Sequence, residues 1–322
     1  MVISMEYNVK IQEMVNYKDK EVEGYYILKE AAVKVTSSGK NYLNAKLMDR
    51  TGMMDLKMWD YNNETVTVDD IGKVVKVRGS VDDYKGNLQL VVKQIRLAIS
   101  TDPYNLAELV PMAPIDKEAE LSSVRSMIAG LEDDDYRRIC QQMLQKHLDS
   151  FSKIPAAKSV HHSFLSGLLM HTSHMLKIAA FLADLYSDLI DRDLLLAGTL
   201  LHDFAKEKEF TFSELGMVAD YSVKGQLLGH LVMGASEIAE TAKELGIPEE
   251  KSLLLQHLIL SHHGEPEFGA AVRPACAEAE LLSLIDLIDS RMEIYSETLE
   301  NLPIGQFSQK VFSLDKKIFR HS

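Results

Sequence analysis

The sequence predicts two domains of different class, an N-terminal all-β barrel followed by an all-α domain. Three observations carry this. The chain has 322 residues, which at roughly 100–200 residues per domain suggests about two. Hydrophobicity alternates with period two, broken by turns, through the first third, and then repeats at three and four in the remainder. Histidine is the third: none of the 11 precedes His147, and nine lie from His147 to His262. Charge divides the same way. Residues 1–100 carry 15 Lys and Arg against 14 Asp and Glu, and the remainder 20 against 34, so the net charge of −13 belongs to the second part. Solubility is the plain account of that excess, and a field that attracts divalent cations is the functional one. It does not exclude RNA binding, which needs only a local basic groove.

The β elements follow in order. Residues 23–35 are mixed but continue into the β-branched run Ala32-Val33-Lys34-Val35-Thr36, and Ser37-Ser38-Gly39-Lys40 is a turn. Residues 41–49 alternate, with Tyr42, Asn44, Lys46 and Met48 on one side and Leu43, Ala45 and Leu47 on the other. After a turn at 49–52, residues 53–59 set Met54, Leu56 and Met58 against Asp55, Lys57 and Trp59. Residues 72–81 and 88–95, joined through Lys85-Gly86-Asn87, complete a set of short strands with a longer excursion at 62–71. This pattern suits an oligonucleotide-binding (OB) barrel. Such a barrel grips single strands with exposed aromatics and a basic groove. Tyr42, Trp59 and Tyr84, with Lys46 and Lys57, are the expected nucleic-acid-binding residues, and Lys40, Lys76 and Lys85 are nearby. The competing reading puts Trp59 in the core and the lysines on a solvated face.

Residues 101–115, with Pro103, Pro111 and Pro114, read as a linker between domains at 1–100 and 116–322. Leu121, Val124, Ile128 and Leu131 have helical spacing, as do Ile139, Met143 and Leu144 after an acidic break at 132–135. Ile154-Pro155 interrupts, and residues 162–291 then read as successive helices, with 303–322 an extended tail packed on a neighbouring element. No apolar run reaches the roughly 18 residues of a membrane span, and the first ten residues lack the apolar segment of a signal peptide. Cys140 and Cys276 stand in unrelated contexts and read as reduced thiols of a cytoplasmic protein.

The chemistry lies in five separate helical segments. They present His171, the adjacent pair His202-Asp203, His230, the pair His262-His263, and Asp286, within residues 160–290. A buried polar group left unpaired costs about 1–3 kcal/mol. One such imidazole can find a backbone carbonyl; five segments presenting His and Asp this way are more economically explained by a shared metal centre. Asp203 can bridge two cations through its two oxygens. Imidazoles mixed with carboxylates suit Mn, Fe, Co, Ni or Zn over Mg or Ca. Lys206 follows Asp203 by three positions and is expected to hold a substrate phosphate, unless it is a solvated lysine of Lys206-Glu207-Lys208-Glu209. His161, His162 and His174 are expected around the site or at its substrate mouth, and Asp289 to orient a ligand imidazole through its other nitrogen. No Ser or Cys is placed as a nucleophile.

The order His171, His202-Asp203, Asp286 resembles the HD phosphohydrolase superfamily, and the added His230 and His262-His263-Gly264 resemble its two-metal branch. The resemblance implies one metal on His171, His202, Asp203 and Asp286, and a second on Asp203, His230 and His262, with His263 and Asp289 the alternative choices. The second motif departs from many relatives, which have a Gly before the Lys where this chain has Ala205. An OB-like barrel ahead of an HD domain resembles the YhaM-type 3′–5′ exoribonucleases, most closely at residues 155–172 and 259–264. That resemblance implies hydrolysis of single-stranded RNA, and of single-stranded DNA, to nucleoside 5′-monophosphates through a hydroxide activated by two metals, with Mn or Co as activator. Two other readings stay open: an HD phosphodiesterase or nucleotidase acting on cyclic dinucleotides or small nucleotides, and a non-catalytic nucleic-acid-binding protein. The oligomeric state is open too, a homo-oligomer included.

Overall fold

The computed structural model describes residues 5–62, 65–84, 86–158, 162–213, 215–300 and 302–322. It divides into two compact units, one reaching Met112 and including Phe212–Met217, the other Ala113–Thr211 with Val218–Ser322.

In the first unit a short strand β1 (Glu6–Tyr7) and a 3-10 turn at Ile11–Tyr17 precede the barrel strands: β2 (Glu21–Val35), β3 (Asn41–Asp49), β4 (Gly52–Met58), β5 (Val74–Tyr84) and β6 (Asn87–Leu97). β2 is long enough to serve two neighbours. Its first half pairs antiparallel with β5, Glu21 opposite Ser80, and its second half with β3, Val35 opposite Asn41, across a bulge between Leu28 and Glu30. β3 pairs with β4, and β4 runs parallel to β6, Leu56 opposite Leu90. β6 pairs with β5, which returns to β2, so the sheet closes and leaves no edge among these five. Leu43, Ala45, Leu47, Met54 and Leu56 point into the core with Tyr26, Leu28, Val75 and Leu90, as the period-two pattern requires. The buried Tyr26 hydroxyl donates to the Val9 carbonyl at 2.7 Å. A one-turn helix α1 (Leu106–Leu109), capped by the Asn105 side chain, lies within the stretch expected to be a linker.

The second unit contains α2 (Lys117–Ala129), α3 (Asp134–Lys153), α4 (Gly167–Leu185), α5 (Arg192–Leu201), α6 (Lys206–Glu209), α7 (Val223–Leu245), α8 (Glu249–Ser261) and α9 (Ala277–Glu300). α2, α3 and α5 are capped by Asp116, Asp133 and Asp191, whose carboxylates accept from the first-turn amides. Two features differ from the expected run of helices. A hairpin, β7 (Phe210–Phe212) with β8 (Val218–Tyr221), separates α6 from α7. α4 begins at Gly167 and not at His162, because His162 and Ser166 both hold left-handed backbone that a helix cannot contain. The tail folds back on itself, Phe307 opposite Phe319, and Arg320 donates to the Leu299 carbonyl in the last turn of α9 and to the Leu302 carbonyl just beyond the helix. No described helix is long and apolar enough to cross a membrane.

Candidate metal centre

Close helix packing explains how residues far apart in sequence meet. His202 and His262 end α5 and α8. One turn before each stand Gly198 and Leu258, and a Cβ on Gly198 would fall 2.2 Å from a Leu258 methyl. Only glycine lets the two helices approach so closely, and the His202 and His262 rings consequently lie 5.0 Å apart. α7 is kinked at Gly229, whose φ of 68° and ψ of 164° no helix allows. The kink turns the next residue, His230, toward Glu209, whose Oε1 accepts from both its backbone N–H at 3.1 Å and its Nδ1–H at 2.9 Å.

Four imidazoles are held by the same device. His171 Nδ1 donates to Asp289 Oδ2 at 2.7 Å, His202 Nδ1 to the Thr199 carbonyl at 2.8 Å, His230 Nδ1 to Glu209, and His262 Nδ1 to the Ile259 carbonyl at 2.8 Å. Each acceptor is an oxygen, so each Nδ1 donates and each Nε2 is turned toward the centre, where it can ligate a cation in place of a proton. All four Nε2 atoms face Asp203. His202 and His171 lie 3.1 and 3.8 Å from its Oδ2. His230 and His262 lie 3.5 and 3.8 Å from its Oδ1. Asp286 joins the first pair, its Oδ1 3.4 Å from His171 Nε2. On the second side Asp203 Oδ1, His230 Nε2 and His262 Nε2 are buried without a hydrogen-bond partner among the described residues, as is His263 Nδ1. Buried polar atoms left unsatisfied at one point are costly unless something else binds there. The donor set fits divalent transition metals.

The electrostatics agree. Burial alone would keep the His171 ring neutral, yet Asp286 and Asp289 push its pKa up to about 9. Burial works to raise the pKa values of Asp203 and Asp286, but the surrounding imidazoles, with Lys206 at Asp203, hold both well below the carboxylate range. These carboxylates demand positive charge. On the other side burial, reinforced by its histidine neighbours, keeps His262 far below 6.5, and burial with His230 lowers His263 to about 4. Those rings stay neutral, as metal ligands must.

The remaining sequence-predicted residues are placed as follows. His162, His171 and His174 all donate to Asp289, at 2.8, 2.7 and 3.2 Å. His162 is fully buried and so does not line a substrate mouth, whereas the His174 side chain is 37% exposed. His161 lies outside the described residues. Lys206 is not solvated: its side chain is 15% exposed and its Nζ sits 2.6 Å from Asp203 Oδ2. On the barrel Trp59 is half exposed, not core, and stacks on Tyr42 with ring centroids 4.9 Å apart. Lys57 Nζ lies 5.9 Å from the Tyr42 ring centre, Lys46 pairs with Glu30, and Tyr84 is exposed at the β5–β6 turn, next to Lys85, which lies outside the described residues.

Sequence reasoning missed Glu209 and His147. In α6 each of four consecutive side chains grips a different partner. Lys206 meets Asp203, Glu207 meets His147 at 2.7 Å, Lys208 meets Glu237, and Glu209 meets His230. His147 bridges Glu207 to Glu237 at 3.0 Å, and these carboxylates raise its pKa against burial. A Lys-Glu-Lys-Glu run reads as solvated charge; an acidic residue shortly before an apolar His-bearing helix was the available signal. Glu209→Ala should weaken divalent-cation binding by about 10–100-fold, because His230 loses the acceptor that fixes its ring. A titration curve superimposable on the wild type would remove Glu209 from the site.

Two family models match the chain: an HD domain over residues 168–291 and an OB-fold nucleic acid binding domain over residues 28–98. The chain is 39% identical over 298 residues to a Shouchella clausii protein, covering 92% of each. It is 36% identical over 307 residues to a Bacillus subtilis protein, covering 95% of this chain and 96% of that one. Both relatives are named 3′–5′ exoribonuclease YhaM.

Proposed function

Because the chain belongs to the family of YhaM-type 3′–5′ exoribonucleases, metal-dependent nucleases of the HD superfamily, we propose that it shortens single-stranded RNA, and single-stranded DNA, from the 3′ end and releases nucleoside 5′-monophosphates at a two-metal centre. The observation that carries two metals is Asp203, whose oxygens face separate imidazole pairs, His171 with His202 and His230 with His262. One ion would rest on His171, His202, Asp203 and Asp286, and the other on Asp203, His230 and His262, with His263 beside it. Mn, Co or Fe suits this donor set first, and Ni or Zn next. Bound there, the ions supply hydroxide at neutral pH and offset charge on the phosphate.

The chain's own groups do the rest. Asp289, Glu209 and the Thr199 and Ile259 carbonyls fix the imidazoles before substrate arrives, so no reorganisation is needed during reaction. Lys206 places an ammonium beside Asp203, where it would meet an oxygen of a phosphate bound at the centre. Tyr42 and Trp59, with Lys46, Lys57 and Tyr84, lie on the β3–β4 face and at the β5–β6 turn, where OB barrels take single strands.

The test is a time course on 5′-labelled single-stranded RNA with Mn. A ladder shortening from the 3′ end is expected. Uncut RNA from metal-loaded protein would overturn the exoribonuclease reading and turn attention to cyclic dinucleotides and small nucleotides.

A further inference from the structure

The segment after His262-His263 is bonded at nearly every step. Gly264 N–H donates to the Ser261 carbonyl, Glu265 to His263, Phe268 and Ala270 to Glu265, Gly269 to Pro266, and Ala271 to Leu260. Arg273 braces it through Glu265 at 2.7 Å. It also lies against the metal centre, because a Cβ on Gly269 would fall 3.3 Å from His263 Nδ1. Yet this turn leaves Phe268 76% exposed. Leu227 and Leu228 are exposed just ahead of His230, whose ring is 5.2 Å from His263. Exposed apolar residues thus stand in the segments next to both His263 and His230, the imidazoles that the two-metal reading sets beside the scissile phosphodiester.

We propose that Phe268 is the stacking surface for the base of the substrate's 3′-terminal nucleotide. The proposal rests on the exoribonuclease reading above and adds to it a base-binding site. An enzyme that removes nucleotides in succession must accept every base at that place. Hydrogen bonds to base edges would discriminate between them, whereas stacking does not, since every base has a π face. A ring on a turn held by this many backbone hydrogen bonds gives that contact with little ordering cost.

The experiment compares two RNAs that differ only in the terminal nucleotide, one intact and one abasic, and adds a fully abasic ribose dimer joined by a 3′–5′ phosphodiester as a small diester with no aromatic ring. The wild type should cleave the abasic end with kcat/KM lower by about tenfold, within the range of one base–aromatic stack. Phe268→Ala should lose about tenfold on intact RNA and nothing further on the abasic end. Phe268→Trp should behave as the wild type, and all three should hydrolyse the small diester equally. Retained discrimination between the two ends by Phe268→Ala overturns the proposal and leaves the exoribonuclease reading standing, as does loss of small-diester hydrolysis in that variant. Wild-type protein that hydrolyses the diester and leaves both RNAs whole overturns the exoribonuclease reading, and the proposal with it.

Discussion

Asp203→Asn should reduce RNA hydrolysis by roughly a thousandfold or more while the protein stays folded. The two side chains are nearly the same shape, so the effect isolates charge and donor type. In the wild type both oxygens offer lone pairs, one facing His171 and His202 and the other His230 and His262. The amide presents an N–H₂ to one of those pairs and carries no charge, so it can hold at most one cation, and that weakly. The fold should survive because Asp203 lies in the turn after α5, and the amide oxygen still accepts from Lys206. A stability loss of about 1–3 kcal/mol is expected from the weakened charge-assisted bond. Metal content measured on the purified variant should fall, and chelation of the wild type should reproduce the loss and reverse with Mn. Turnover retained by the variant, or helix content lost with it, would sink this role for Asp203.

The barrel was legible in sequence because its signal is local. Leu43, Ala45 and Leu47 are buried on β3 and Tyr42 and Lys46 are not, and alternation is all that a half-buried strand needs. Its closure was not legible, since the pairing of β2 with β5 joins residues about 50 positions apart and leaves no local mark. The helical unit shows the same division. Histidines on apolar segments announced themselves, because an imidazole there must be satisfied. Asp286 and Asp289 were harder: three residues apart, they share one face of α9, and only the structure sets Asp286 at His171 Nε2 and Asp289 at its Nδ1. Left-handed His162 and Ser166, which delay α4, were invisible because neither is glycine. The hairpin β7–β8 is too short to establish a period. Glu209 and His147 were hidden because a charge run and a lone histidine have meaning only through their partners.

Lys206→Met should lower kcat by about a hundredfold at saturating Mn, the scale of removing one fixed donor from a developing anion. Two accounts of this lysine predict opposite results. If it only balances Asp203 in metal-free protein, removing its ammonium takes a competing cation off the carboxylate. Mn would then bind more tightly and kcat would stand. If it meets the phosphate, kcat falls while the Mn titration changes little. The geometry favours the second. The Nζ sits at Asp203 Oδ2 from a side chain only 15% exposed, so it is carried into the centre and kept there. Burial acts to lower its pKa, but Asp203 with Asp286 and Glu209 raises it above 10.5. The ammonium therefore keeps its charge throughout neutral pH, and the wild-type rate should show no alkaline limb from it below that value. Lys206→Arg preserves the charge but spreads it over a wider fork, so it should recover part of the lost kcat and none of the pH behaviour should change. Tighter Mn binding with undiminished kcat in Lys206→Met would assign the lysine to Asp203 alone.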